Sequence, residues 1–209
     1  ENMEAMKEHL RPGTKMYGVV KTDAYGHGAV PVARTIDRFV CGYAVATVDE
    51  GLKLRRHGIE KEILCLGPVS AGRYQECLEN DISLPMFEYR RAKELSDAAV
   101  AEGKTAKIHI AVDTGMSRIG LFPDEGSVET VKEIAELPDL RIAGMFTHFA
   151  RADEADKTNA GEQYRRFHEF CDDVKAAGVA VPVCHCSNSA GIVELPDFNM
   201  DAVRAGITI

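Results

Sequence analysis

The sequence KIHIAVDTGMSRIGLFPDEGSVETVKEIAELPDLRIAGMFTH (107–148) predicts a strand, a helix and a second strand, in that order. Its two ends, KIHIAVD (107–113) and IAGMFTH (142–148), are apolar runs of strand length. Between them two valines and an isoleucine recur at helical spacing over 128–134, and this pattern ends before Pro138. Such an order is typical of a parallel βαβ unit.

The same alternation continues through the rest of the chain. Six further apolar runs predict strands: YGVV (17–20), YAVAT (43–47), EILCLG (62–67), ISLPM (82–86), PVCHCSN (182–188) and AVRAGITI (202–209). Most of them are apolar on both faces, as parallel strands covered by helices are. Helical patterns separate the runs. One begins at Thr158, a plausible cap, and stops at Gly178, and another ends at Gly103.

Eight strands that alternate with helices predict the α/β class and a closed (β/α)8 TIM-like barrel. The main alternative is a doubly wound open sheet, which would place a GxGxxG turn after the first strand. KTDAYGHG (21–28) does not match that turn. No linker interrupts the series, so residues 1–209 are predicted to form a single barrel domain.

Composition excludes several classes of function. Of the 209 residues 45% are hydrophobic, and a net charge of -8 argues against nucleic acid as a partner. No apolar run approaches the roughly 18–20 residues of a membrane span, and no signal peptide is visible. Six scattered cysteines predict reduced thiols and a cytoplasmic protein. Both ends look cut, so we expect a barrel trimmed from a longer protein.

One short motif raises the question of a metal. Cys184, His185 and Cys186 are all potential zinc ligands. On a strand, however, the two cysteines would face one side and the histidine the other. No second pair of ligands stands nearby at metal-binding spacing, so we predict no metal site.

The active site of such a barrel lies at the carboxyl ends of its strands. Polar residues follow or end five of the predicted strands: Lys21, Asp23 and Tyr25 on the first, Asp113 and Arg118 on the fifth, Thr147 and His148 on the sixth, Ser187, Asn188 and Ser189 on the seventh, and Arg204, before Gly206, on the eighth. This end of the barrel is therefore the predicted site.

Lys21 directly follows Val19 and Val20, so its aliphatic stem begins inside the barrel wall. It could be an ordinary strand-end lysine that extends to solvent. It could also be an amine whose pKa is lowered by desolvation or by a nearby cation, and such an amine attacks carbonyl groups.

The seventh and eighth strands indicate a phosphate site, because the last two βα loops of these barrels often bind phosphate. Ser189 could open a short helix whose N-terminus favours an anion, and Gly206 would let the backbone approach a ligand closely. Simple helix capping and a simple bend are the plain alternatives. A lysine beside a phosphate cradle is what pyridoxal 5′-phosphate requires.

Three further residues are open to more than one interpretation. His148 could be a metal ligand, a base or a hydrogen-bonded core histidine. Arg118 and Arg204 have apolar neighbours in the sequence, and a charge in such surroundings usually has a partner or a function.

Five motifs, in this order, resemble those of the bacterial alanine racemases: VVKTDAYGHG (19–28), DTGMSRIG (113–120), THFARADE (147–154), SNSAG (187–191) and VRAGI (203–207). The first resembles the family's pyridoxal-phosphate lysine motif, and together the motifs cover nearly the whole chain. The resemblance implies an isomerase that interconverts L- and D-alanine by two-base proton transfer at Cα. Its product would supply D-alanine for peptidoglycan.

The resemblance also implies roles for individual residues. Lys21 would hold the cofactor covalently and then act as one catalytic base. Tyr25, Ser189, Gly206 and Ile207 match the family's phosphate-binding positions, the last two through backbone N–H groups.

A second group of matches surrounds the ring of the cofactor and the substrate. Arg204 matches the arginine that faces the pyridine nitrogen, His148 the histidine that supports it, and Asn188 lines the same wall. Arg118 matches the arginine near the phenolic oxygen and the substrate carboxylate, and Met116 is expected at the substrate. Because arginine does not readily give up a proton, the ring nitrogen would stay unprotonated, which favours racemisation over transamination.

Two features depart from the family pattern. Many members carry a carbamylated lysine seven residues before the motif arginine, where this chain has Ala111. A bound anion or another side chain would then have to hold Arg118. The family also has a C-terminal β-domain, expected outside this chain, that contributes a tyrosine as the second base to the partner's site. The resemblance therefore implies a head-to-tail homodimer.

The sequence leaves three alternatives to an alanine racemase open. Serine or serine/alanine racemases linked to vancomycin resistance share the barrel, and YAVATVDEGLKLRRHGI (43–59) resembles both groups equally; their parents can be membrane-anchored. Non-enzymatic pyridoxal-phosphate carriers have similar lengths but lack KTDAYGHG and DTGMSRIG. Decarboxylases of the same barrel type place a glutamate where Arg204 is expected.

Overall fold

Eight parallel strands close into a barrel in the computed structural model, which describes residues 1–209. Each strand pairs with the next along the chain, and the eighth pairs with the first. The strands are β1 Lys15–Val19, β2 Gly42–Val45, β3 Glu62–Cys65, β4 Ile82–Met86, β5 Ala106–Ala111, β6 Leu140–Phe146, β7 Cys184–His185 and β8 Ala202–Ala205. The predicted (β/α)8 barrel is confirmed.

One helix precedes the first strand, and the others lie between strands and cover the barrel. The helices are α1 Asn2–Glu8, α2 Lys21–Tyr25, α3 Ala29–Ile36, α4 Val48–Arg56, α5 Tyr74–Glu79, α6 Tyr89–Glu102, α7 Glu125–Ala135, α8 Thr158–Ala176 and α9 Ser189–Glu194. α6 ends at Gly103, which has the left-handed backbone conformation that favours glycine. None of these helices combines the length and the apolarity needed to cross a bilayer.

The longest helix, α8, shows how the barrel is covered. Phe167, Phe170 and Val174 are buried on one stripe of it, at the intervals of three and four residues that place side chains on one face of a helix. Thr158, however, is the first residue of the helix and not its cap. Its backbone N–H and its hydroxyl both donate to the carboxylate of Asp156, at 2.9 and 2.6 Å, so the aspartate satisfies the start of the helix.

Several strands end earlier than the apolar runs predict. β6 ends at Phe146, before Thr147 and His148, and β8 ends at Ala205, before Gly206. Beyond these positions the backbone enters the loops above the barrel. The residues that follow the strands are thereby free to form a site.

The side chains of β7 alternate as predicted. His185 lies inside the barrel with no exposed surface, between the rings of Tyr17 and Phe146 at centroid distances of 5.5 and 5.4 Å. On the other face, immediately after β7, the Cys186 thiol donates to the carbonyl of Phe198, at 3.1 Å. No group of three or more acidic, histidine or cysteine side chains is arranged to hold a metal ion.

Candidate active site

A cavity of about 480 Å³ opens at the carboxyl ends of the strands. Nine of the ten residues predicted from the sequence line it: Lys21, Tyr25, Arg118, His148, Asn188, Ser189, Arg204, Gly206 and Ile207. Met116 lies in the loop after β5 but is not among the lining residues. The cavity is also lined by residues that the sequence did not indicate, including Leu66, Phe146 and Asp153.

Lys21 stands at the start of an unusual turn. The four residues that follow it, Thr22–Tyr25, all have φ between 53° and 55°, so α2 is a left-handed helical turn made without glycine. Each such residue costs roughly 1–2 kcal/mol relative to the right-handed conformation. The turn therefore persists only because neighbouring groups hold it.

Helix α4 supplies those groups. The carboxylate of Glu50 accepts hydrogen bonds from the backbone N–H of Thr22 at 2.6 Å and of Ala46 at 2.7 Å. One helical turn further, Lys53 pairs with Asp23 at 2.8 Å. A hydrogen bond from the backbone N–H of Ala29, and then the contact with Lys53, lower the pKa of the Asp23 carboxyl. α4 thus joins the turn after Lys21 to the loop after β2.

We expect Glu50→Ala to loosen this turn without unfolding the barrel. Because one acceptor for several backbone donors is lost, amide hydrogen exchange in 22–25 should accelerate by about tenfold. Hydrogen–deuterium exchange with mass spectrometry measures this. Glu60→Ala, at an exposed glutamate outside this contact, is the control. Unchanged exchange in Glu50→Ala would show that the turn does not depend on α4.

Three polar groups converge at one corner of the cavity. The hydroxyl of Ser189 accepts a hydrogen bond from the backbone N–H of Gly206, at 2.9 Å. A Cβ at Gly206 would lie 2.6 Å from the hydroxyl of Tyr25, so only glycine leaves room for that ring. Asn188 caps α9 by accepting from the backbone N–H of Gly191 at 3.0 Å. α9 therefore begins at Ser189, where the sequence predicts a helix start.

Arg204 belongs to β8 and is buried. Its guanidinium donates to the backbone carbonyls of Thr147 at 2.7 Å and of Cys186 at 3.1 Å. It also donates to the Nδ1 atom of His185 at 2.8 Å and lies 3.3 Å from the Nδ1 atom of His148. Burial lowers the pKa of Arg204 to about 10, which still leaves it charged at neutral pH. No carboxylate neutralises it.

His148 is held in its neutral form. Burial, followed by the nearby charges of Arg204, Arg118 and Lys21, lowers the pKa of His148 to about 3. A neutral imidazole can accept a hydrogen bond from Arg204 through one ring nitrogen. At this position it neither adds to nor cancels the positive charge of the cavity.

The loop that carries Arg118 is shaped by Asp113. One carboxylate oxygen of Asp113 accepts from the backbone N–H of Gly115 at 3.0 Å and of Ser117 at 2.9 Å. Ala111, seven residues before Arg118, is buried at the end of β5. Hydrogen bonds to its backbone therefore hold the loop in place. The exposed Arg118 forms no ion pair with another side chain of the protein.

Gln163 of α8 joins two site loops, a contact that the sequence did not indicate. Its amide nitrogen donates to the hydroxyl of Thr114 at 3.2 Å and to the carbonyl of His148 at 3.0 Å. Its amide oxygen accepts from the backbone N–H of Ala150 at 2.8 Å. A fully satisfied buried amide of this kind fixes the relative position of the loops after β5 and β6.

The chain is similar to known proteins along its whole length. The family model for the N-terminal domain of alanine racemase matches residues 1–209. The alanine racemase of Clostridium novyi (strain NT) is 44% identical over 209 residues, which are 100% of this chain and 54% of the relative. That of Methanococcus maripaludis is 39% identical and is covered to 56%.

Solved structures share the architecture as well. The alanine racemase of Clostridium difficile 630 superposes with a TM-score of 0.97 at 38% identity, over 99% of this chain and 55% of that one. The Bacillus anthracis alanine racemase with bound L-Ala-P gives a TM-score of 0.88 at 36% identity, over 99% and 53%. The chain spans about half the length of the curated relatives it matches. It belongs to the alanine racemase family and matches that family's N-terminal domain along its whole length.

Proposed function

We propose that the full-length protein is a pyridoxal-phosphate-dependent alanine racemase. The observation that carries the proposal is the convergence of Lys21, the Ser189–Gly206 corner and the charged Arg204 on one cavity. Each of these groups has a plainer explanation alone, but an amine, an anion-binding corner and a buried cation together match the parts of one cofactor.

The residues present fit that cofactor. The cavity of about 480 Å³ lies in the range of small-molecule sites. Backbone N–H groups at 206 and 207, with the hydroxyls of Tyr25 and Ser189, would hold the phosphate. Lys21 would form the covalent link, and Arg204 would face the ring nitrogen. Asn188 would line the same wall.

Pyridoxal phosphate, when bound, withdraws electrons from the substrate and makes its Cα proton acidic. Lys21 would take or return that proton on one face. Arg204 would leave the ring nitrogen unprotonated, because a guanidinium donates a hydrogen bond but is too weak an acid to give up its proton. Arg118 would bind the substrate carboxylate, and its position at the cavity mouth suits that role.

The proposal includes parts that lie outside this chain. The base for the opposite face of Cα would be a tyrosine from the C-terminal domain of the partner subunit in a head-to-tail homodimer. The enzyme would act in the cytoplasm and supply D-alanine for peptidoglycan. The relatives named above are alanine racemases, and no observation favours the serine, carrier or decarboxylase alternatives.

We expect Gly206→Ala to weaken binding of pyridoxal phosphate by about tenfold or more, because the new Cβ would displace the Tyr25 hydroxyl from the phosphate corner. Absorbance titration of the cofactor-free protein measures the affinity. Gly72→Ala is the control, since a Cβ there meets nothing within 4 Å. Equal affinities for the two variants would place the phosphate elsewhere.

The proposed activity is tested by following the optical rotation of L-alanine and, in parallel, of L-serine with the full-length protein and added cofactor. Loss of alanine rotation well above that of serine is expected. Comparable or faster serine turnover would indicate a serine racemase. Bound cofactor without turnover of either substrate would indicate a carrier.

A further inference from the structure

A chain of buried polar side chains runs from Arg204 to the opposite end of the barrel. Arg204 contacts the Nδ1 atom of His185 at 2.8 Å. The Nε2 atom of His185 lies 3.0 Å from the Nδ1 atom of His109. The Nε2 atom of His109 lies 3.3 Å from a carboxylate oxygen of Glu62, the first residue of β3. Both imidazoles are fully buried, whereas 26% of the glutamate side chain is exposed.

Only one arrangement of protons satisfies every contact from Arg204 through His185 and His109 to Glu62. Arginine has donors and no acceptor, so the Nδ1 atom of His185 must carry no proton. A neutral His185 then carries its proton on Nε2 and donates it to His109. His109 must in turn carry its proton on Nε2 and donate it to the carboxylate of Glu62, which only accepts.

The surroundings keep His185 and Glu62 in the protonation states that this arrangement requires. Burial holds the pKa of His185 well below its ordinary value, so His185 is neutral. Although burial opposes it, hydrogen bonds from His109, Tyr17 and Ser83 lower the pKa of Glu62 to about 2, so it remains ionised. A Cβ at Gly144 would lie 2.6 Å from the Nδ1 atom of His109, so this glycine makes room for the ring.

We propose that Glu62 is a remote positioning residue that fixes, through His109, the tautomer in which His185 offers its Nδ1 lone pair to Arg204. With the opposite tautomer, an imidazole N–H would face a guanidinium N–H, and Arg204 would lose that partner. The consequence for the cofactor ring rests on the proposed function. The tautomer of His185 is a property of the protein alone and does not depend on the proposed function.

The test uses the full-length protein with histidine labelled by nitrogen-15. Nitrogen NMR distinguishes protonated from bare ring nitrogens, and a His185→Asn variant assigns the signal. Glu62→Met removes the acceptor, Glu62→Gln keeps an acceptor oxygen, and Ser83→Ala is the matched control. Ser83 also donates to Glu62, at 2.8 Å, but lies outside the chain to Arg204.

We expect His185 to be protonated at Nε2 in the wild type, in Ser83→Ala and in Glu62→Gln. In Glu62→Met the Nδ1-protonated form should rise by about tenfold, the change in an equilibrium that corresponds to one hydrogen bond. A wild-type His185 protonated at Nδ1 would overturn the proposal, whether or not the methionine variant folds. The same tautomer in Glu62→Met as in the wild type would also overturn it.

The absorbance of bound pyridoxal phosphate in the wild type is recorded on the same samples. If it is absent, the proposed function fails while the tautomer measurement still stands. If it is present and the tautomer does not respond to Glu62→Met, the role of Glu62 fails alone.

Discussion

Replacement of Lys21 by alanine is expected to abolish both the absorbance of bound pyridoxal phosphate and the racemisation of alanine. Two functions are lost in one substitution, the covalent attachment of the cofactor and the base on one face of Cα. A lost nucleophile or base alone costs about 10²–10⁴-fold in rate, so a loss of at least about 10⁴-fold is expected here.

The measurements are the absorbance spectrum and the rate of loss of optical rotation of L-alanine. Lys93→Ala is the control, because Lys93 is an exposed residue of α6 that pairs only with Asp97, one helical turn away. That variant should match the wild type. Racemisation that persisted in Lys21→Ala would remove the basis for assigning the catalytic role to this residue.

Replacement of Arg204 by methionine is expected to destabilise the barrel as well as the site. The guanidinium donates to the carbonyls of Thr147, His185 and Cys186, which lie in the loop after β6, in β7 and in the loop after β7. Methionine fills a similar volume but leaves the carbonyls of Thr147 and Cys186 and the Nδ1 atom of His185 without this donor. The carbonyl of His185 still accepts from the backbone N–H of Thr147, at 3.3 Å. Because each buried acceptor that loses its donor costs about 1–3 kcal/mol, we expect a loss of about 3 kcal/mol or more.

Urea unfolding of the cofactor-free full-length protein measures this change through its midpoint. Arg165→Met is the matched control, since Arg165 is exposed on α8 and pairs only with Glu162 and Glu169. Surface pairs contribute about 0–1 kcal/mol, so this variant should unfold close to the wild type. Equal midpoints for the two variants would mean that Arg204 does not join the strands.

Most of the barrel could be predicted from the sequence because apolar residues are spaced differently in its strands and in its helices. β4, at Ile82–Met86, coincides with its apolar run, and α6 ends where Gly103 predicts. β7 is the poorest case, with seven predicted residues and two observed. In a barrel wall, packing and side-chain hydrogen bonds can take the place of ladder hydrogen bonds. The spacing of apolar residues predicts neither, so it does not predict where such a short strand ends.

The residues at the cavity could be named because they follow strands, and in a barrel all strand ends meet. The groups behind them could not. Glu62, His109 and His185 lie on three different strands, and only the closed barrel brings them into contact. Each is a polar residue at an inward position of a mostly apolar strand, which is the one signal that could have found them.

The left-handed turn after Lys21 also could not be predicted from the local sequence. Thr22, Asp23 and Tyr25 have no intrinsic preference strong enough to impose it over four residues. The turn depends on Glu50 and Lys53, which lie nearly thirty residues away on α4. Tertiary contacts have overridden local preference there, next to the lysine to which we assign the chemistry.

Reduction of the full-length, cofactor-loaded protein with borohydride tests the central claim most directly. Reduction would make the bond between lysine and cofactor permanent, and peptide mass spectrometry then locates the added mass. The predicted result is a single modified residue, Lys21, within the peptide that contains Val20 and Thr22. A modification at another lysine, or none in a protein that binds the cofactor, would contradict the account.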